Sequence, residues 1–282
     1  MSYIIETALE LVCVYSFVAL ALFLSFRILD IADLTTDGCF VLGMCVSIVC
    51  TLNNHPLLGI FMGMVSGGLA GLVTALLQTK LGVPSILAGI VTNTALYTIN
   101  LMVMGFSSNI SILRNKTIFN GNKLLLLVLI VVVAMILLRY FLSTRLGLSI
   151  RATGDNIDMV SASSINPKAC ILIGLVMSNM LTGLGGALAG QLQKSADINA
   201  GNGIVTIGLA TLIIGETVIN GKKSITRNII ACLIGNIIYR LIYAFILQTH
   251  IIPIECLKLM TALIITLAIA LPYLKDRKKA LC

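Results

Sequence analysis

Nine apolar runs separated by short polar connections leave this chain few ways to fold. They extend from Ile4 to Phe26, Gly38 to Leu52, Leu57 to Gln78, Val83 to Gly105, Leu124 to Leu142, Cys170 to Gly190, Ile204 to Ile219, Asn228 to Gln248 and Cys256 to Leu274. Most are long enough, at ~1.5 Å per helical residue, to cross a hydrocarbon core of ~30 Å. Backbone in lipid must satisfy its own hydrogen bonds, so the runs are predicted to be helices. The expected fold class is an all-α polytopic membrane protein with about nine transmembrane helices. Composition excludes a soluble domain: 11% of the residues are charged, against ~25% in soluble proteins.

The basic residues set the expected orientation. If the polar stretch after Leu142 faces the cytoplasm, alternation puts 13 of the 19 Lys and Arg residues inside and 4 outside, with Arg240 and Lys258 within spans. That is a positive-inside distribution, with the N-terminus outside and the Lys-Asp-Arg-Lys-Lys tail inside. The net charge of +8 is therefore read as membrane orientation and not as a nucleic-acid surface, because the basic residues form no contiguous patch. Glu6 and Glu10 stand where a signal peptide would carry basic residues, so the first run is expected to stay as a membrane helix.

One stretch, Gly147 to Pro167, is too polar to cross a bilayer although it lies between two long apolar runs. Thr153 or Asp155 can cap a helix of about two turns over Asn156 to Ser164, ended by Asn166-Pro167. Ile157, Val160 and Ser164 give it a weak apolar stripe. An ordinary loop and a knob that docks into a partner both fit this pattern.

An internal repeat supplies the long-range signal. Leu77 to Pro84 echoes Leu247 to Pro253, Thr92 keeps the same distance from Pro84 as Thr261 from Pro253, and Asp33 to Gly38 echoes Asp197 to Gly203. Both echoes pair helices five apart, and an odd offset inverts the copy. The implied architecture is an inverted 4+1+4 repeat in one transmembrane domain over residues 1–282. Repeat 1 covers about 1–105, the connecting helix and polar loop about 123–169, and repeat 2 about 170–275. In both copies the second helix is short, 15 and 16 residues, where transporters place broken helices and binding sites.

Candidate site residues follow from that placement. Asp33, Thr35, Asp37 and Gly38 precede the first short helix, where the carboxylate either caps the helix or meets a solute. Gly201, Asn202 and Gly203 open the second, with backbone N–H groups suited to a carboxylate. Asn93, Asn100, Asn179 and Asn236 are read first as interhelical glue and second as ligands. Arg240 and Lys258 are candidate ion partners of Glu216 or Glu255. No catalytic, metal or cofactor constellation is found: the eight cysteines contain no C-x-x-C pair, and His55 and His250 are isolated. The run from Gly215 to Ser224 has five residues between its glycines where a P-loop needs four, so the chain is not expected to be an enzyme with its own ATPase site.

The run Gly147-Leu-Ser-Ile-Arg151-Ala-Thr-Gly154-Asp155-Asn156, followed by Ile165-Asn166, resembles the cytoplasmic coupling loop of ABC-importer permeases of the branched-chain amino acid and ribose class. Ile28 to Gly38, Leu87 to Ile90, Tyr97 to Gly105 and Ile207 to Glu216 are similar to bacterial permeases of the tryptophan/tyrosine type. The resemblance implies a permease subunit in the bacterial cytoplasmic membrane that provides the translocation path for a small polar solute, an amino acid with aromatic ones included. It implies a separate cytoplasmic ATPase subunit, an extracytoplasmic substrate-binding lipoprotein, and a homodimer or a paired second permease. Gly147, Arg151, Gly154, Asp155, Asn156 and Asn166 would form the coupling loop. Asp33, Thr35, Asp37, Gly38, Asn93, Gly201, Gly203 and Glu216 would line the substrate path. The competing classes are an ion-coupled secondary transporter, which shares inverted repeats but has no use for this loop, and a channel or structural membrane protein with no energy source.

Overall fold

The computed structural model describes residues 2–113, 115–119, 121–219 and 224–249, with isolated positions 259, 262, 263, 266 and 270. Apart from those positions, the expected ninth helix, the basic C-terminal tail and the Pro253–Thr261 half of the first echo lie outside the described residues. So do Arg114, Lys222, Lys223, His250, Glu255 and Lys258.

Among the described residues ten α-helices follow in order: α1 (Ser2–Leu22), α2 (Thr36–Leu52), α3 (Pro56–Thr79), α4 (Ser85–Val103), α5 (Lys123–Ser143), α6 (Arg145–Asp155), α7 (Ile157–Ala162), α8 (Pro167–Gln193), α9 (Ile204–Val218) and α10 (Ile225–Thr249). The fold is polytopic and all-α. Among the described residues seven helices are long and apolar enough to cross a membrane, counting α9 together with the 3₁₀ turn Ile198–Gly201 that leads into it. The short apolar helix α2 makes eight segments that match expected runs. Two short strands escaped the hydropathy reading: Asn109–Ser111 pairs antiparallel with Ser195–Asp197 and ties the α4–α5 connection to the end of α8.

The core is a crossing of α2, α3 and α8, which small residues make possible. A Cβ on Gly43 would run into the Gly183 carbonyl, one on Gly67 into the Asn179 carbonyl, and one on Gly186 into the Phe40 carbonyl. With no side chain in the way the backbones meet directly, which replaces the hydrophobic drive that lipid cannot supply. The same close approach recurs at the other end of the chain, where Gly215 of α9 meets the Ala231 carbonyl and Gly235 of α10 meets the Thr211 carbonyl. Thus α2 packs against both α3 and α8, and α9 against both α10 and α1. By contrast α4 and α5 leave most of their apolar side chains exposed, among them Leu87, Val91, Met102, Leu125, Leu129 and Ile136.

Three sequence expectations are corrected here. The stretch after Leu142 is helical from Arg145 onward, because Thr144 caps α6 by accepting from the Gly147 N–H at 3.2 Å, while Gly147, Ile150 and Thr153 turn one face inward. Thr153 is then a buried helical residue bonded to the Ser149 carbonyl, and Asp155 is the last residue of α6. The cap of α7 is Asn156, whose Oδ1 accepts from the Met159 N–H at 3.0 Å. Finally, Glu216 does not pair with Arg240. Its carboxylate meets Arg27 Nε at 2.8 Å, and Arg240 instead lies over the Tyr15 ring, 3.7 Å from its centroid.

Candidate functional site

The start of α2 is built by a buried turn. After α1 the chain takes a π-helical turn, Phe23–Ile28, and then runs without helix to Thr35. Such backbone is tolerated at membrane depth only when protein covers it. Asp33 provides the cover: it is fully buried, its Oδ1 accepts from the Thr35 N–H at 2.9 Å, and its Oδ2 accepts from Asn179 Nδ2 of α8 at 2.7 Å. The Thr35 hydroxyl is 2.9 Å from that of Thr74 on α3. On the other side a Cβ on Gly89 of α4 would touch the Leu34 nitrogen.

The start of α9 repeats the device. Asp197 Oδ1 accepts from the Asn199 N–H at 2.7 Å, two residues on, just as Asp33 does with Thr35. The chain then turns through Gly203, whose φ of +89° lies in the region that favours glycine.

The two helix starts meet. The Asp37 carboxylate in the first turn of α2 accepts from the Gly203 N–H at 3.3 Å and the Val205 N–H at 2.8 Å, which caps α9 from another element. Gly201 permits the approach, since a Cβ there would strike the Asp37 carbonyl. A carboxylate at a helix N-terminus satisfies free N–H groups and meets the positive end of the dipole. Here one carboxylate serves two helices, in α2 by position and in α9 by hydrogen bonds.

Beside this joint lies a cavity of about 260 Å³ lined by Asp37, Gly38, Val41, Asn93, Thr94, Tyr97, Asn100, Ile198, Gly201 and Asn202. Its α4 wall is polar at Asn93, Tyr97 and Asn100, which fall at i, i+4 and i+7 and so share one helix face. The Asn93 Oδ1 stands 2.5 Å from where a Cβ on Gly38 would be, and Asn100 Nδ2 donates to the Gly38 carbonyl at 3.3 Å.

Of the residues expected on a substrate path, Asp37, Gly38, Asn93 and Gly201 therefore come together around one cavity. Asp33, Thr35 and Gly203 sit behind it and hold the helix starts. Glu216 is elsewhere: it follows Gly203 by 13 residues along α9, about 20 Å at ~1.5 Å per residue, and is ion-paired with Arg27. Hydropathy reasoning missed Tyr97 and Thr94. For Tyr97 a signal existed, the i, i+4, i+7 set of polar groups on an otherwise apolar helix. Asn179 and Asn236 act between helices, Asn179 on Asp33 and Asn236 on the Val12 carbonyl at 2.7 Å and Ser16 Oγ at 3.1 Å.

The stretch between α5 and α8 forms a second surface. Gly147 lies against Leu142 and the Phe141 carbonyl, and Gly154 against the Ile28 carbonyl, so both glycines pin α6 to the body, with Arg151 partly buried between them. Residues 155 to 159 are all exposed, including Asp155, Asn156, Ile157 and Met159, while Val160 anchors α7. Asn166 caps α8 through the Lys168 and Ala169 N–H groups. A cleft of about 430 Å³ opens next to α7, lined in part by Gln78, Lys80, Ile157, Pro167 and Lys168.

Residues 4–269 match the family described as branched-chain amino acid transport system / permease component. The chain is 33% identical over 255 residues to a tyrosine transport system permease protein of Clostridioides difficile, covering 89% of this chain and 85% of that one. It is 32% identical over 275 residues to an uncharacterized protein of Rickettsia prowazekii, covering 95% and 97%. A D-allose transport system permease protein of Escherichia coli is 35% identical over 104 residues, 36% of this chain and 31% of that one. No solved structure gives a significant match.

Proposed function

The chain belongs to the branched-chain amino acid transport system permease family and is a transmembrane permease subunit of an ABC importer, and from that premise we propose how it works and what it carries. Its cargo is an amino acid of the aromatic kind. The likeness to a tyrosine permease runs through nearly nine-tenths of the chain, whereas the likeness to a D-allose permease covers about a third.

The observation that carries the mechanism is the joint of α2 and α9. Two short helices start from equivalent Asx turns at Asp33 and Asp197, each packs against partners equivalent to those of the other, and their N-termini are held together by Asp37 next to a cavity. This arrangement supports the inverted repeat of residues 1–105 and 170–275 about the connecting region 123–169. The cargo passes along Asp37, Gly38, Asn93 and Gly201, while Asp33, Thr35 and Gly203 fix the helix starts.

A separate cytoplasmic ATPase drives the cycle, and an extracytoplasmic binding lipoprotein delivers the cargo to a permease dimer in the bacterial cytoplasmic membrane. The exposed turn Asp155–Met159 meets the ATPase. Gly147 and Gly154 clamp α6 to the rest of the chain, so motion imposed on α7 is passed to the π turn at Ile28 and on to α2. Tagged chain extracted in mild detergent is expected to retain an ATPase subunit, and Ile157→Asp with Met159→Asp to release it without loss of inserted protein. Uptake by the chain without any ATPase, energised by an ion gradient, would refute the proposal.

A further inference from the structure

The cavity beside the α2–α9 joint has one acceptor left over. Asn100 is 1% exposed and lines the cavity, yet its Oδ1 has no hydrogen-bond partner. The assignment of its two ends is not arbitrary, because the Gly38 carbonyl can only accept and so fixes Nδ2 as the atom that faces it. A buried carbonyl oxygen without a donor is costly in a medium this poor in water, and such a group is usually explained by something absent from the unliganded protein.

The rest of the wall points to the chemistry of the missing donor. Among the described lining residues Asp37 carries the sole charge, and it is negative; no Lys or Arg lines the cavity. Both Asp37 oxygens already accept backbone N–H groups of α9, so the carboxylate contributes field more than a free binding atom. Asn93 Oδ1 is turned toward Gly38 on the same side. The Tyr97 ring stands between the two asparagines on the helix face, and an aromatic face attracts a cation.

Resting on the amino-acid reading above, we infer that Asn100, with Asn93 and Tyr97, forms the subsite for the ammonium group of the cargo, and that Asp37 supports it electrostatically while its own hydrogen bonds hold α9. Asn100 is then a specificity-determining residue: the cavity receives solutes with a primary ammonium next to an apolar body and disfavours the matching carboxylates.

The chain contains no tryptophan, so Thr94→Trp, at an exposed position on the cavity wall, creates a single fluorescent reporter. Full-length Thr94→Trp permease in lipid nanodiscs would be titrated with L-phenylalanine, with phenethylamine, which keeps the ammonium alone, and with 3-phenylpropionate, which keeps the carboxylate alone. A hydrogen bond to a charged group is worth a factor of about ten or more in affinity. Phenethylamine and phenylalanine are therefore expected to shift the emission at concentrations about tenfold lower than 3-phenylpropionate needs. Adding Asn100→Leu should erase that difference while leaving the ligand-free emission unchanged. Equal binding of amine and carboxylate overturns the ammonium subsite and leaves the cavity on the path. Discrimination that survives Asn100→Leu overturns the role of Asn100. Silence toward all three ligands overturns the cavity as part of the path.

Discussion

Replacing Asp37 tests whether one carboxylate fastens the two short helices together. In Asp37→Ala the N–H groups of Gly203 and Val205 lose their acceptor. Capping losses cost ~0.5–2 kcal/mol in helices, and hydrogen bonds to charged groups are worth ~1.5–3 kcal/mol. Because Asp37 is partly exposed to its cavity, water can compensate in part, and a net loss of ~2–3 kcal/mol is expected. For a chain of this size ~1 kcal/mol corresponds to ~2–4 °C in transition midpoint. The alanine variant should therefore unfold about 4–12 °C lower, and Asp37→Asn, which keeps one acceptor, about 2–4 °C lower. The buried thiols of Cys39, Cys45 and Cys232 make a thiol-reactive dye a suitable reporter of unfolding in detergent. Asn93→Ala, on the α4 wall beside Gly38, serves as the control and should not shift the midpoint. In transport, Asp37→Asn should reduce the maximal uptake rate more than it changes the half-saturating concentration, since the binding protein governs capture. An alanine variant that unfolds within ~1 °C of the wild type, with unaltered maximal rate, would show that α9 is not held by Asp37.

Orientation is tested by impermeant thiol labelling in intact cells on a cysteine-free background: Ser108→Cys is expected to react and Ser161→Cys to remain protected, and the reverse pattern would invert the topology. Removing the α7 cap with Asn156→Ala should cost ~1 kcal/mol locally and lower ATPase stimulation while leaving the amount of inserted protein unchanged; full stimulation would mean that α7 is not the contact. Gly154→Val drives a branched side chain into the Ile28 carbonyl and should block coupling at normal assembly with the ATPase, whereas wild-type uptake would remove this contact from the relay. The pair Arg27 and Glu216 is half exposed, with side chains 49% and 27% accessible, so Glu216→Gln should change thermal stability by less than ~1 kcal/mol; a larger loss would give Glu216 a role beyond that ion pair.

Much of the architecture was legible along the chain because lipid makes hydropathy decisive. Eight segments start and stop within a few residues of the expected limits, since Pro56, Pro84 and Pro167 and the polar groups around them leave helices no choice of boundary. The kinship of Asp33–Gly38 with Asp197–Gly203 was also readable, as the same acidic turn before a short helix. What lay beyond reach were the contacts between distant elements. Asp37 caps a helix that begins 167 residues later in the chain, and no local pattern separates such a cap from a ligand for cargo. Glycine at positions 147 and 154 disfavours a helix locally, because it costs ~1 kcal/mol in a helix interior. Close packing against Leu142 and Ile28 requires the missing side chains and overrides that propensity, so α6 forms. Arg27 rather than Arg240 meets Glu216 because the end of α1 and the end of α9 arrive at the same place. Local sequence determines which segments are helices and where they turn; only the tertiary arrangement decides which buried polar groups satisfy one another and which, like the Asn100 oxygen beside the cavity, are left without a partner.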